Sequence, residues 1–249
     1  MSSIRKGIDI SKHNGNINFA KVKAAGIDFV IIRAGYGKSV SQKDPMFETY
    51  YKEAKNAGLD VGAYWFSYSL SPDISKIEAE CCVECIKGKK FEYPIYLDLE
   101  TDERSKYYPF DTGRQNCSKM VDTFCQHLET AGYFAGLYIS RSPLQTHITD
   151  RIARRYALWI AEYNTKCNYT GSYGMWQHTP SGRVDGINGN VDLDVCYVGY
   201  PNTIKKAKLN GYKDKKYRIE VGDFDEVRAL EEFEKLKMKY PNAIMKEVL

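Results

Sequence analysis

Two carboxylates close a buried strand in the first half of the sequence. The stretch YPIYLDLE, residues 93–100, reads as an apolar strand that ends with Asp98 and Glu100, separated only by Leu99. Side chains two apart on a strand lie on the same face, with Cα atoms about 7 Å apart. Because charged groups are seldom left in a core unless they are paired or used, this spacing predicts a functional pair of acids.

Such a pair suits the cleavage of a glycosidic bond. That reaction needs one protonated carboxylic acid and one ionised carboxylate beside the anomeric carbon of the sugar. Crowding of like charges raises the pKa of one member, which then keeps its proton near neutral pH. In barrels of parallel strands the active site lies at the carboxyl ends of the strands. We therefore expect Asp98 and Glu100 to face the mouth of a barrel.

Further acids stand near the ends of other predicted strands. Asp9 closes the first strand in GIDIS, and Asp192 lies in the last strand, NVDLDVC. The first and last strands of a closed barrel are neighbours, so we expect these two acids to lie beside the first pair. An aspartate after a strand is often a helix cap, an interpretation that stays open for Asp9. Asp194, two residues beyond Asp192, is an alternative to Asp192, which we favour.

Five strand-then-helix units precede Ala153, with strands predicted at 7–11, 28–37, 60–68, 93–99 and 134–140. Serial units of this kind predict a parallel α/β sheet. Later strands, predicted at 157–163, 174–179 and 190–198, are separated by polar, glycine-rich stretches too short for a crossover helix. We therefore predict an α/β fold: a modified TIM-like barrel with eight strands, about five helices and loop-connected last strands, some of them antiparallel.

The sequence changes character near residue 200. We predict a catalytic barrel over 1–200, a Lys-rich linker over 201–214 and a small βαβ module over 215–249. Two strands of the module (217–221 and 243–249) would flank a helix over 225–240, whose apolar residues recur at helical spacing. A module of this size cannot bury a sufficient core alone, so it should dock on the barrel or pair with a second copy.

Composition argues against several classes of protein. The net charge of +4 is mild, and no Lys/Arg stripe is interleaved with aromatics, so we expect no nucleic-acid partner. The seven cysteines are an odd number, and the cluster at 81, 82 and 85 lacks zinc-ligand spacing. We expect free thiols, a reducing compartment, and no metal or cofactor.

No apolar run has the length of a signal peptide or a membrane span, so we expect synthesis in the cytoplasm and no membrane insertion.

Taken together, the motifs resemble the family 25 glycoside hydrolases, lysozymes of the N-acetylmuramidase type found in phage endolysins and bacterial autolysins. The resemblance runs in order over residues 4–198 and rests on GIDIS, FVIIRAGYG, GAYWFSY, YPIYLDLE, GLYIS, LWIAEY, MWQHT and GNVDLDVC. It implies a barrel of eight strands and five helices. It also implies hydrolysis of the β-1,4 bond from N-acetylmuramic acid to N-acetylglucosamine in peptidoglycan glycan strands.

The same resemblance implies roles for individual residues. Glu100 would be the general acid and then the base, and Asp98 the nucleophile or the stabiliser of an oxazolinium-like intermediate. Asp9 and Asp192 would be supporting acids. The sugar groove would be lined by Tyr64, Tyr36, Trp176 and Gln177, with Arg33 offsetting the clustered negative charge. For Tyr36 and Trp176, core packing is an equally good interpretation, and the choice between covalent and substrate-assisted cleavage stays open.

The tail resembles half of a SPOR domain, a βαββαβ module that binds glycan strands lacking stem peptides. Glu220 replaces the glutamine common in that motif, and the second βαβ half is missing. Two chains that pair their halves over 215–249 would form a homodimer with a shared wall-binding module. A tail that only docks on its own barrel is the rival interpretation.

Other functions remain as alternatives. Chitinase-type barrels carry a longer acid run, DxxDxDxE, of which EYPIYLDLE has only the last two acids. The four histidines show no paired ligand spacing, which disfavours a polysaccharide deacetylase. A catalytically inactive wall-binding protein is disfavoured because all expected acids are present. We expect an endolysin of a phage or prophage, released to the cell wall by a separate holin, with an exported bacterial autolysin as the alternative.

Overall fold

The computed structural model describes residues 4–212, 225–241 and 244 of the chain. It divides into two compact units, Met1–Lys213 and Asp214–Leu249. All eight strands described belong to the first unit, which also contains the predicted acids.

Eight strands close into one barrel in sequential order. Their bounds are β1 (Arg5–Ile10), β2 (Phe29–Tyr36), β3 (Asp60–Phe66), β4 (Ile95–Asp98), β5 (Ala135–Ser140), β6 (Ala157–Ala161), β7 (Met175–Gly182) and β8 (Val191–Cys196). Neighbouring strands from β1 to β7 are parallel, whereas β8 is antiparallel to both β7 and β1. The carboxyl ends of β1 to β7 therefore form one rim, called the mouth below, and β8 starts at that rim.

Helices connect the first six strands. They are α1 (Phe19–Ala24), α2 (Phe47–Asn56), α3 (Pro72–Ile86), α4 (Arg114–Thr130) and the short pair α5 (Arg141–His147) and α6 (Asp150–Arg155). Ser71 caps α3 by accepting a hydrogen bond from the Ile74 amide, with Pro72 at the first helical position. The predicted eight-stranded barrel with five helical crossovers is confirmed. Loops alone join the last three strands across the described residues 162–190, as predicted.

Side chains that face the barrel interior form an aromatic layer. The Trp159 ring lies 4.5 Å from the Tyr138 ring and 5.2 Å from the Tyr96 ring, in edge-to-face contacts. On β4, Tyr96 and Asp98 therefore face inward, while Ile95 and Leu97 belong to the core between the sheet and the helices. The interior below the mouth is filled, so a ligand has access only from the rim.

The predicted linker is wrong over residues 201–212, which belong to the barrel unit. Helix α7 (Tyr200–Lys206) buries Tyr200 and Ile204, and its lysines remain exposed. Asn210 has no exposed surface; it accepts a hydrogen bond from the Phe134 amide at 2.7 Å and donates one to the Tyr93 carbonyl at 2.8 Å. Because this stretch of sequence is rich in lysine, its pattern resembles a linker. Its few buried residues nevertheless close the end of the barrel opposite the mouth.

The second unit is described mainly by helix α8 (Glu226–Lys239). Asp225 caps it by accepting a hydrogen bond from the Arg228 amide at 3.0 Å, so the helix predicted over 225–240 is present. The strand predicted at 217–221 lies outside the described residues, and so does that at 243–249 except for Ile244. In the described part of the chain, no helix is both long and apolar enough to cross a membrane.

Candidate active site

Asp98 and Glu100 lie at the mouth on the same side of the chain, as their spacing predicts. The extended backbone continues beyond β4, because the Leu99 amide donates to the Tyr138 carbonyl at 3.1 Å and the Ser67 amide donates to the Asp98 carbonyl at 3.0 Å. Leu99 is fully buried in the core behind the sheet. Asp98 is buried in the barrel, and Glu100, one step closer to solvent, is half-buried.

The two carboxyl groups have different electrostatic surroundings. Burial raises the pKa of Glu100 to about 7, and the negative charges of Asp192 and Asp102 act in the same direction. Burial also raises the pKa of Asp98, and Glu100 adds to this rise. The Arg33 guanidinium opposes it, because a nearby positive charge favours the ionised carboxylate. Glu100 can therefore act as a proton donor near neutral pH.

Asp9 and Asp192 lie directly opposite each other on the antiparallel pair β1 and β8. Burial raises the pKa of Asp192 to about 6. Burial also raises the pKa of Asp9, and the charges of Asp194 and Asp192 raise it further. Asp9 is not a helix cap: Ser11 caps the short helix at Lys12–Asn14. The barrel thus gathers an acid cluster from three strand ends: Asp9, Asp98, Glu100, Asp192 and Asp194.

Gln177 connects this cluster to the opposite side of the mouth. Its Nε2 donates a hydrogen bond to Asp9 Oδ2 at 2.7 Å. Its Oε1 accepts hydrogen bonds from Tyr138 Oη at 2.9 Å and from Tyr163 Oη at 3.1 Å. Gln177 is buried, so its polar atoms are used for holding Asp9 in place.

Arg33 is the cation of the site and has a fixed position. Its Nε donates to Asp44 Oδ2 at 2.7 Å, and both side chains are largely buried. Asp44 also accepts hydrogen bonds from the Lys12 and Met46 amides, at 3.1 and 2.9 Å. Arg33 is thereby held where its charge favours ionisation of Asp98.

The predicted sugar-binding aromatics occupy different environments. Tyr64 is half-buried on β3 and close enough to Asp9 for that charge to affect its pKa, which burial raises. The Tyr36 ring packs edge-on against Tyr68 at 6.1 Å. Trp176 lies on the face of β7 opposite to Gln177, is 8% exposed, and donates from Nε1 to the Glu162 carbonyl at 2.8 Å. The Trp176 ring lies 5.3 Å from that of His178, and its place in the sugar groove stays a prediction. Tyr64 is near the acids.

Several residues of the site were not singled out from the sequence. Tyr68 Oη donates to Asp102 Oδ2 at 2.7 Å, beside Glu100. Trp159 Nε1 donates to Asp194 Oδ1 at 2.8 Å. Asp102 continues the acid run LDLETD and could have been found by its spacing, whereas the contact of Trp159 depends on long-range pairing of strands. Within the described residues, no three or more Asp, Glu, His and Cys side chains are arranged to hold a metal ion.

A closed barrel with crowded carboxyl groups at its mouth is an arrangement typical of glycoside hydrolases. The model of glycosyl hydrolases family 25 matches residues 8–187 of the chain. The protein therefore belongs to glycosyl hydrolase family 25.

Named relatives share the barrel but are often longer. The autolytic lysozyme of Clostridium acetobutylicum is 30% identical over 190 residues, which make up 76% of this chain and 55% of the relative. The modular autolysin LytC of Streptococcus pneumoniae, solved with a synthetic peptidoglycan ligand, is 29% identical with a TM-score of 0.71 over 79% of this chain and 48% of LytC. This chain thus spans about half the length of either protein. The lysozyme of Streptomyces coelicolor shares the fold, with a TM-score of 0.72, 24% identity, and coverage of 86% of this chain and all of that one.

Proposed function

We propose that this protein is a lysozyme that hydrolyses the β-1,4 bond between N-acetylmuramic acid and N-acetylglucosamine in peptidoglycan. The observation that carries the proposal is the pair of acids on one side of the chain at the mouth of a family 25 barrel. Glu100 has a pKa of about 7, which leaves a large share of it protonated near neutral pH. The names of the relatives, an autolytic lysozyme and an autolysin bound to a peptidoglycan ligand, support this substrate.

In the proposed mechanism Glu100 donates its proton to the glycosidic oxygen as the bond to the leaving sugar breaks. Asp98 takes part as the carboxylate, a form that Arg33 favours, and its negative charge stabilises the positive charge that develops at the anomeric carbon. Asp98 either bonds to that carbon or stabilises an oxazolinium formed by the sugar's own N-acetyl group. Glu100, now ionised, accepts a proton from the water that completes hydrolysis.

The supporting acids and the aromatics act around this pair. Asp192 adds negative charge that keeps Glu100 protonated. Asp9, held by Gln177, lies across the mouth from Asp98 and orients the substrate. Tyr64 offers a ring to the sugar, since it faces the acids and is half-buried. The positive charge of Arg33 partly offsets the negative charge of the acids at the mouth.

The test is digestion of purified Gram-positive peptidoglycan by the wild type, Glu100→Gln and Glu103→Gln. Gln keeps the size of the acid but cannot donate the proton, so Glu100→Gln should lose at least a hundredfold in rate. Glu103 is exposed and three residues away, so its variant should match the wild type. Mass spectrometry after borohydride reduction should find reduced muramic acid ends, and no release from chitin. Equal digestion by all three proteins would refute the role of Glu100.

We also propose that the chain divides into a catalytic barrel, extended to residue 212 by α7 and the segment after it, and a tail over 214–249 that pairs two chains. Leu230 and Tyr240 on and after α8 are each 48% exposed, which supports an apolar contact surface on the tail. Light scattering on the full chain should give the mass of two chains, and a chain ending at residue 213 should give that of one. The mass of a single full chain at micromolar concentration would contradict the dimer.

The cell wall is the proposed place of action, reached from the cytoplasm of the producing cell through a holin-type pore. Expression of the protein alone in a bacterial host should leave the cells intact, and co-expression with a pore-forming holin should lyse them. Lysis by the protein alone would contradict the requirement for a separate release step.

A further inference from the structure

Asp194 is the most deeply buried aspartate of the acid cluster, with 1% exposure against 6% for Asp9 and 5% for Asp98. It lies on β8 in register with Gly7 of β1 and with Gln177 of β7. The mechanism above gives it no role. A carboxyl group at this depth needs either hydrogen-bond donors or a proton of its own.

The donors present satisfy only half of Asp194. Trp159 Nε1 donates to Oδ1 at 2.8 Å, but within residues 4–212 no N–H or O–H group donates to Oδ2. Asp9 is in register with Asp192 and Gly7 with Asp194, so Asp194 is the diagonal neighbour of Asp9 on the same face of the β1–β8 pair. Asp9 Oδ2 already accepts from Gln177 Nε2, which leaves the other oxygen of Asp9 for Asp194. Two carboxyl groups in contact form a hydrogen bond only when one carries a proton.

The surrounding donors indicate which aspartate holds that proton. The Trp159 indole N–H stabilises negative charge on Asp194. Among the described residues each aspartate has one side-chain donor, Gln177 for Asp9 and Trp159 for Asp194. Asp9 differs in facing Asp192 directly across the strand pair, so a negative charge on Asp9 would lie opposite a second carboxyl group. We propose that Asp194 is a positioning residue that shares a proton with Asp9, keeps Asp9 uncharged and confines the pair to one negative charge, located on Asp194.

The electrostatics of the pair agree with this assignment. Burial raises the pKa of Asp9, and the charge of Asp194 raises it further. For Asp194, the hydrogen bonds from Trp159 and Asp9 oppose the rise in pKa that burial causes. The titratable and charged groups facing the pair are Asp192 and Cys196 on β8, Asp98 at the end of β4, Tyr64 on β3, and Tyr138 and Tyr163 near Gln177.

The consequence for catalysis rests on the proposed function. The charge of Asp98 raises the pKa of Asp9. Asp194 lies two residues farther from the mouth along β8 than Asp192, the residue that faces Asp9. A charge on Asp194 therefore disturbs Asp98 less than the same charge on Asp9. By keeping Asp9 neutral, Asp194 lowers the pH at which Asp98 releases its proton to solvent, so that Asp98 is a carboxylate before the bond is cleaved.

Asp194→Asn tests the proposal, because the asparagine amide can donate to Asp9 and removes the need for the proton. Asp9 then ionises, and the number of protonated aspartates at pH 7 should fall by one in infrared spectra of protein labelled with ¹³C at aspartate carboxyls. In peptidoglycan digestion, the acid limb of the pH–rate profile should move up by about one pH unit, since the negative charge now lies nearer Asp98. The Michaelis constant should change less than about twofold.

Asp185→Asn, in the exposed loop between β7 and β8, is the matched control and should leave spectra and profile unchanged. An unchanged count of protonated aspartates in Asp194→Asn would overturn the proposal. Should that variant not fold, the wild type alone decides: a titration that finds every aspartate ionised at pH 7 overturns the shared proton. Proton loss in Asp194→Asn, in a protein that cleaves no peptidoglycan, would support the pair and count against the proposed function.

Discussion

Gln177 donates a hydrogen bond to Asp9 at 2.7 Å, although 168 positions separate the two residues in the sequence. The amide has one orientation, because the Tyr138 and Tyr163 hydroxyls both donate to its oxygen. Its NH₂ group therefore points at Asp9, and the contact connects β7 to β1 past the strand between them, β8. An acid at the start of the chain is thus positioned by a residue near the end of the barrel.

Gln177→Glu should destabilise the barrel in a pH-dependent way. The substitution removes the donor to Asp9 and adds a buried negative charge to an acid cluster, so the free energy of unfolding at pH 7 should fall by about 3 kcal/mol. Near pH 5 the introduced carboxyl group is protonated and can donate a hydrogen bond to Asp9, so the loss in free energy of unfolding should be smaller than at pH 7. Urea denaturation at both pH values measures this, with the exposed Gln115→Glu as control. An equal loss at both pH values would contradict the charge effect.

Glu78 should make the wild type less stable as the pH rises. It is fully buried on α3 and accepts hydrogen bonds from Ser67 Oγ at 2.6 Å and the Tyr68 amide at 2.8 Å. Burial raises its pKa from 4.5 to about 7, so between these values the folded state binds more protons than the unfolded state. The contribution of Glu78 to the free energy of unfolding is therefore greatest below pH 4.5 and falls as the pH rises to about 7.

Glu78→Gln should remove this pH dependence. As the pH rises from 4 to 9, the free energy of unfolding of the variant should increase by about 3 kcal/mol relative to that of the wild type, because the glutamine amide does not ionise. Denaturant titrations over this pH range test the effect, and Glu80→Gln, exposed on the same helix, should keep the wild-type slope. Parallel stability curves for the wild type and Glu78→Gln would show that Glu78 does not titrate in this range.

Asp102→Asn should narrow the pH range of activity from its basic side. In the proposed mechanism Glu100 has to be protonated, so activity should fall as the pH rises through about 7. Asp102 helps to raise the pKa of Glu100, and its removal should move this limb down by about half a pH unit. Because Asp102 lies near the surface, the shift should become smaller at about 0.5 M salt.

Tyr68→Phe separates the charge of Asp102 from its hydrogen bond. It removes the donor to Asp102 Oδ2 but leaves the negative charge in place, so the basic limb should not move down. Initial rates of peptidoglycan digestion between pH 5 and pH 9 measure both variants. A downward shift of the same size in Tyr68→Phe would assign the effect to the loop rather than to the charge.

Asn210→Ala should destabilise the sealed end of the barrel. The substitution leaves the buried Phe134 amide and Tyr93 carbonyl without side-chain partners, and it places alanine at a φ of 53°. The expected loss is about 3 kcal/mol. Asn210→Gly also lacks the side-chain partners but adopts a positive φ without strain. Its free energy of unfolding should therefore be about 1 kcal/mol higher than that of Asn210→Ala. The exposed Asn202→Ala serves as control in thermal melts, and a melting temperature equal to the wild type for Asn210→Ala would refute the sealing role.

The sequence was informative where local patterns decide the structure. Alternation along YPIYLDLE is enough to place Asp98 and Glu100 on one face, and the strand count is enough to bring β1 beside β8. Asp192 and Asp194 share a face of β8 and differ only in depth, which depends on how the barrel tilts, so spacing alone could not separate their roles. The burial of Asn210 depends on partners about 75 to 120 residues away, which no local pattern reports.

The late position of β8 in the chain means that the barrel closes, and the acid cluster is complete, only after most of the chain has been made. Asp9 leaves the ribosome among the first residues, but Asp192 and the strand that completes the ring emerge near the end of the barrel, followed by the segment that seals it. A ribosome-bound chain shorter than about 200 residues therefore lacks both the closing strand and part of the acid set. If the proposed function holds, a chain that ends before β8 should hydrolyse no peptidoglycan, because it has neither the closed ring nor Asp192 and Asp194.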